Sequence, residues 1–248
     1  MKQRLDQLLV TRGLVPTRSQ AESYIRLGQV MVDGQVQRKP GYFVADDSRV
    51  KLTAREQYVS RAGLKLASVA NKLSVQFQGS IVLDVGSSTG GFTDYALQHG
   101  ATKVVAVDVG TDQLHPSLRS DERIELHEKT DIRDFVPSLT PDIVVIDVSF
   151  ISLREVLPHI AAIAAPATKI VAMVKPQFEA GREQVNKGII KNDRVRRDIL
   201  AGFEQWAKRY FVIADKADSD VAGAKGNRER FYLLTLNRNS TMSPGRIT

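Results

Sequence analysis

The feature that most constrains this chain is a series of short β-branched apolar runs, at 81–85, 104–107, 143–146, 170–174, 211–214 and 231–236, mostly alternating with stretches of helical character. Runs that stay apolar without alternating suit strands buried on both faces, and such strands occur in parallel sheets covered by helices on each side. An α/β domain with a mostly parallel sheet is therefore expected from about residue 60 to 240. The last two runs, with Gly223 and Gly226 between them, read as a hairpin that closes one edge of the sheet.

The first 59 residues have a different grain. Leu5, Leu8 and Leu9 recur at helical spacing and Gly13 follows as a stop. A second helix is expected from Thr17, with Gln20 as its capping-box partner and Gly28 at its end. Val30 and Val32 then alternate into Asp33-Gly34, a hairpin signal. Two short helices and a few strands make a small α+β module, joined to the larger domain through "AREQYVSRAG", residues 54–63.

Composition narrows the function classes. The net charge of the 248 residues is +7, and residues 1–60 hold ten Lys or Arg against six acids, so over half the surplus lies in the first quarter. That placement suits a polyanionic partner. There is no cysteine, which excludes disulfides and thiolate metal sites, and the four histidines show no ligand spacing, so no metal is expected. The N-terminus mixes Lys2, Arg4 and Asp6 into its apolar positions, unlike a signal peptide, and no apolar run reaches the roughly 20 residues that span a bilayer. A cytoplasmic protein is expected. The end, "NSTMSPGRIT", reads as frayed.

Directly behind the first strand stands "DVGSSTGGF", Asp84 to Phe92. A phosphate-binding P-loop would carry Lys and Ser or Thr after its last glycine, and the dipeptide Gly-Lys occurs nowhere in the chain. A dinucleotide would want G-x-G-x-x-G, whereas Gly86 is followed by Ser87 and Ser88, and Asp84 would repel a pyrophosphate. A ligand with a cationic group fits better. Asp84 with Gly86, Ser87, Ser88, Gly90, Gly91 and Phe92 suits the amino-acid part of S-adenosylmethionine. Asp108, followed by Val109, can accept both ribose hydroxyls, and Asp131 of "EKTDIRD", after a third strand, can receive the adenine amine. Any one of these aspartates could equally cap a helix. As an ordered series they line the crevice that doubly wound sheets use for ligands. The fourth and fifth strand ends add Asp147 and Lys175, the latter held extended by Pro176.

Two resemblances sharpen this reading. "RLDQLLVTRGLVPTRSQAESYIRLGQVMVDGQ" resembles the small RNA-binding module first seen in a small-subunit ribosomal protein and shared with pseudouridine synthases and tyrosyl-tRNA synthetases. It covers about residues 3 to 52 and implies contacts to structured RNA through Arg4, Arg18, Ser19, Gln20, Arg26 and Lys39. "SRAGLKL", "DVGSSTGGF", "DVSFISL", "VKPQFE" and "GNRER" together resemble the TlyA-like family, known both as hemolysins and as ribosomal RNA methyltransferases, over nearly the whole chain. The resemblance implies a Rossmann-like, FtsJ-type domain that uses S-adenosylmethionine for ribose 2′-O-methylation. It places the family's Lys-Asp-Lys-Glu tetrad on Lys65, Asp147, Lys175 and Glu229. In this chain Arg230 intervenes between that Glu and the apolar strand. Lys175 would act as a neutral amine or as a positioned charge, Asp147 would face the sulfonium side, and Glu229 would position Lys175.

The expected protein is a ribosomal RNA ribose 2′-O-methyltransferase, acting on cytidine as the family suggests. Its partners would be ribosomal RNA or ribosomal subunits, gripped by the small module and by a basic segment from Arg182 to Arg197. Two other classes remain: a pore-forming hemolysin, as the family's older name implies, and an RNA-binding regulator that keeps the donor pocket without turnover.

Overall fold

Leu5, Leu8 and Leu9 share one face of a short helix, and burying that face is what draws the first 52 residues together. A computed structural model describes residues 2–54, 57–181, 183, 185, 188–190, 192–223 and 226–237. Arg182, Lys187 and Lys191 of the basic segment, and the terminal stretch 239–248, lie outside the described residues. The N-terminal region runs β1 (Lys2–Arg4), α1 (Leu5–Thr11), α2 (Arg18–Arg26), β2 (Val30–Val32), β3 (Gln35–Val36), β4 (Phe43–Ala45) and β5 (Val50–Leu52). The Thr17 hydroxyl accepts from the Gln20 amide and caps α2. Asp33 and Gly34 both take left-handed dihedrals, as a two-residue hairpin turn between β2 and β3 requires.

The second region begins with α3 (Arg61–Ala70), capped by Ser60, and continues β6 (Ile81–Val85), α4 (Gly91–Gln98), β7 (Lys103–Val107), β8 (Ile124–His127) and a 3-10 turn at Ile132–Asp134. It closes with β9 (Ile143–Ile146), α5 (Leu153–Ile163), β10 (Lys169–Val174), α6 (Pro176–Glu179), α7 (Asp193–Ala207), β11 (Phe211–Asp218) and β12 (Arg230–Leu236). The seven strands form one sheet in the order β11-β12-β10-β9-β6-β7-β8. The five from β10 to β8 are parallel, and β11 and β12 add an antiparallel edge. β8 is the strand that the apolar runs leave out: "IELH" is an edge strand, half-buried throughout, and carries Glu and His.

Alternation along the strands splits the interior in two. Val82, Val104, Val145 and Val171 face α3, α4 and the N-terminal helices, while Leu83, Val105, Val144 and Ile170 face α5 and α7. The first cluster also holds Leu5, Leu9, Tyr24 and Ile25, so the small region shares a core with one face of the sheet. Polar ties reinforce it: the Gln20 side chain donates to the Tyr58 carbonyl at 3.0 Å, and the Val59 amide donates to Asp94 Oδ2 at 2.7 Å. The chain leaves β6 in one direction through β7 and β8 and returns to its other side as β9. The gap between the carboxyl ends of β6 and β9 is thus a topological switch point, where open α/β sheets bind ligands.

Candidate active site

Asp84 lies inside β6 and alternation turns it under α4, where it is fully buried. Thr93 donates to its Oδ2 at 2.7 Å, whereas Oδ1 has no partner among the described residues. Burial, only partly offset by Thr93, pushes its carboxyl up to about 7. The loop that follows needs its first glycine: Gly86 has φ +80°, and a Cβ there would stand 2.9 Å from the Asp147 carbonyl. Asp84, Gly86, Ser87, Ser88, Phe92, Asp147 and Lys175 all border a cavity of about 150 Å³, and the buried Ser87 hydroxyl in it is likewise unpartnered. Two orphaned acceptors in one recess fit a ligand that brings its own donors, above all a cationic one.

A larger cavity of about 410 Å³ adjoins it, sharing Gly86, Ser88, Asp147 and Ser149. It lies within the usual range for small-ligand sites. Asp108, Val109 and Asp131 line it from one side, and Val148, Phe150 and Ile151 from the other. Asp108 braces the loop, accepting from the Ser88 amide at 2.8 Å and the Gly110 amide at 2.7 Å. Asp131 is clasped by the side chain and amide of Arg133, which hold its carboxyl below the usual range, so its remaining lone pairs alone face the cavity.

Gly90 and Gly91 border neither cavity. The space around both is taken up by the protein itself: a Cβ on Gly90 would run into the Leu118 and Leu114 side chains, one on Gly91 would run into the Ser60 hydroxyl, and one on Gly63 would stand 2.9 Å from the Gly91 carbonyl. Helix α3 therefore meets α4 backbone to backbone, and that contact delivers Lys65 to the site.

Four ionisable side chains converge at this end of the sheet. Lys175, just past β10, pairs with Asp147 at 2.6 Å and donates to the Ser149 hydroxyl at 2.7 Å. Lys65 pairs with Glu229 at 2.6 Å. β10 and β12 set Val174 opposite Arg230, so Lys175 and Glu229 occupy facing positions one step beyond. The expectation that Glu229 would position Lys175 is corrected: its carboxylate turns to α3 and meets Lys65. Arg230, the residue that separates Glu229 from the apolar strand, opens β12 and pairs with Asp218 at 2.6 Å.

Two neighbours escaped the sequence reading. Ser149 holds the Lys175 amine, and Phe150 is 92% exposed although its φ is +66°, an unusual conformation for a bulky residue. Its ring lies 5.2 Å from that of Phe178, over which Lys175 Nζ stands at 6.0 Å. A large aromatic side chain three residues after a strand-end aspartate in "DVSFISL" was the available signal.

The RNA-facing expectations divide similarly. Ser19, Arg26 and Lys39 are exposed on the small region. Arg4 is half-buried and Arg18 exposed, and both bind the buried Asp6, at 2.8 and 2.7 Å. Gln20 is buried and spends its amide on Tyr58, so its expected RNA contact is corrected: the neighbouring domain covers it.

A switch-point crevice rimmed by acids, at the end of a parallel sheet with an antiparallel edge pair, defines a Rossmann-like methyltransferase domain. The chain belongs to the FtsJ-like methyltransferase family, whose profile matches residues 58–237, and it carries an S4 domain at residues 3–50. It is 42% identical over 95% of its length to a candidate rRNA methyltransferase, YqxC, of Bacillus subtilis, covering 85% of that protein. It is 37% identical over 97% of its length to the 16S/23S rRNA (cytidine-2′-O)-methyltransferase TlyA of Mycobacterium tuberculosis, covering 92% of it. A solved structure of a candidate hemolysin from Streptococcus thermophilus superposes with a TM-score of 0.72 at 38% identity, over 96% of this chain and 89% of that one.

Proposed function

We propose that this protein is an S-adenosylmethionine-dependent methyltransferase that modifies the ribose 2′-oxygen of a cytidine in ribosomal RNA, with the S4 domain docking the folded RNA. The observation that carries the reading is the two ion pairs, Lys175–Asp147 and the buried Lys65–Glu229, at facing strand ends beside a cavity lined by acids. The residues present fit the donor. Asp84 and the Ser87 hydroxyl are orphaned acceptors suited to its amino-acid ammonium, Asp108 keeps lone pairs for ribose hydroxyls, and Val109 and Ile132 offer apolar walls for a base. When bound, S-adenosylmethionine supplies an electrophilic methyl group on a sulfonium.

The chain's own residues prepare the acceptor. A ribose hydroxyl is a poor nucleophile, so it must be held in line and its developing negative charge stabilised. The Lys175 amine, fixed by Asp147 and Ser149, is positioned to do both. Lys65, anchored by Glu229, adds a second amine at the same rim. A ribose within a helix must be exposed first, and the outward ring of Phe150 offers a stacking surface for a flipped base.

The test is incubation of the purified protein with ribosomal subunits and methyl-labelled donor, followed by mass-spectrometric mapping. Label on a ribose 2′-oxygen of cytidine is expected, and its absence from every ribose contradicts the reading. Among the described residues no helix is long and apolar enough to cross a membrane. Lys175→Ala separates the enzyme from a regulator, whose phenotype would survive the change.

A further inference from the structure

Glu229 stands in a turn, one residue before β12, yet the backbone on both sides of it is fixed. Arg196 of α7 is only 7% exposed, although its guanidinium is permanently charged. Its Nε donates to the Arg228 carbonyl at 3.0 Å and its Nη2 to Asp218 Oδ1 at 2.7 Å. Asp218 ends β11 and sits directly opposite Arg230, whose Nε donates to the same oxygen at 2.6 Å. The Ser219 amide donates to the Glu229 carbonyl at 3.0 Å and completes the ladder. Asn227, also buried, accepts from the Ile190 amide and donates to the Gly188 carbonyl, tying the same turn to the stretch that leads into α7.

A buried guanidinium is costly unless every donor it presents is matched. Burial raises the Asp218 carboxyl, but the hydrogen bonds from Arg230 and Arg196 outweigh it and bring it down to about 2. A planar fork suits this place because one side chain must reach a carbonyl and a carboxylate at once, which a lysine amine cannot do with the same spread. Arg196 itself borders neither the donor cavity nor the recess beside it.

The geometry points to Arg196 as a positioning residue for methyl transfer: by gripping the Arg228 carbonyl and Asp218 it sets the Glu229 carboxylate against Lys65. The inference rests on the reading of the site given above. It also gives Arg230 a purpose, as the cross-strand brace of the same clamp, and it corrects the RNA contact expected of the Arg182–Arg197 segment at this one residue: Arg196 is buried and its guanidinium is spent on Asp218 and the Arg228 carbonyl, so it is not available to RNA.

The test uses the full chain with Arg196→Met and Arg196→Lys, ribosomal subunits as substrate, and S-adenosylmethionine titration to count competent sites. For Arg196→Met the single-turnover rate per donor-binding site is expected to fall about tenfold to a hundredfold, the scale of a small misplacement at a reacting centre. Donor affinity and the KM for subunits should stay within about twofold, and Arg196→Lys should recover part of the rate. The side-chain nitrogen resonance of Lys65 should move in Arg196→Met as it does in Glu229→Gln. An unchanged rate per site, even with a lowered Tm, overturns the inference, as does a parallel loss of donor affinity or an unmoved Lys65 signal. A wild-type protein that transfers no methyl group would sink the reading of the site, whereas the Lys65 signal judges the clamp independently of turnover.

Discussion

Asp6 in the small domain and Asp84 in the large one are both fully buried, and they meet that burial in opposite ways. Asp6 is held by Arg4 at 2.8 Å and Arg18 at 2.7 Å. Burial alone would raise its carboxyl, but the hydrogen bonds from the two arginines leave it below the usual range. Asp84 has Thr93 and no cation among the described residues, and burial raises it to about 7. A charge completed by its own fold is structural, whereas a charge left incomplete beside a cavity implies a partner that arrives later.

The sharpest separation of site from scaffold comes from Lys175→Ala, which should lower ribose methylation about 10² to 10³-fold, on the scale of removing one stabilising donor at a developing oxyanion. Single-turnover assays with saturating subunits would show this, and calorimetry should find the donor still bound. Asp84→Asn comes next. Losing a charge-assisted contact of about 1.5–3 kcal/mol weakens donor binding roughly tenfold to a hundredfold. The same change should raise the Tm of the ligand-free protein at pH 8, because it removes an unpaired buried charge. Phe150→Ala should cut kcat/KM for subunits about fivefold, the low end of base–aromatic stacking, without altering donor affinity. Asp6→Asn should be mildest: a loss of about 1–2 kcal/mol in denaturant unfolding, with donor binding untouched.

The two acids also have opposite pH signatures. Asp6 titrates lower in the folded state than in the unfolded one, so its contribution to stability is present above the unfolded value of about 3.9 and is lost as the pH falls further. Asp84 titrates higher when folded, so folding favours its protonated form and the group costs stability as the pH rises from about 4 towards 7. A bound cation reverses that cost, and donor binding should therefore weaken as the pH drops below 7.

Much of the large domain is legible in the sequence because its strands are buried on both faces, and Val82, Val144 and Val171 report that directly. β8 escaped the apolar pattern because an edge strand has half the burial and tolerates Glu125 and His127. The acids at successive strand ends could be read locally, since each follows its own strand. The partner of Glu229 could not be: it depends on the antiparallel register of β12 and on the glycine contact that brings α3 to the sheet, and neither leaves a trace within "GNRER". Gln20 failed for a similar reason. Its spacing marks a helix cap, but its burial is decided by Tyr58 in the other domain.

Calorimetry of S-adenosylmethionine binding between pH 5.5 and 7.5 in buffers of different ionisation heat, with wild type and Asp84→Asn, tests the incomplete-charge account most directly. Wild-type affinity should rise towards tenfold per pH unit below 7 with nearly one proton released, and the variant should bind weakly with no such dependence. A wild-type affinity that stays flat across this range, or an Asp84→Asn protein that binds as tightly as wild type, would contradict it.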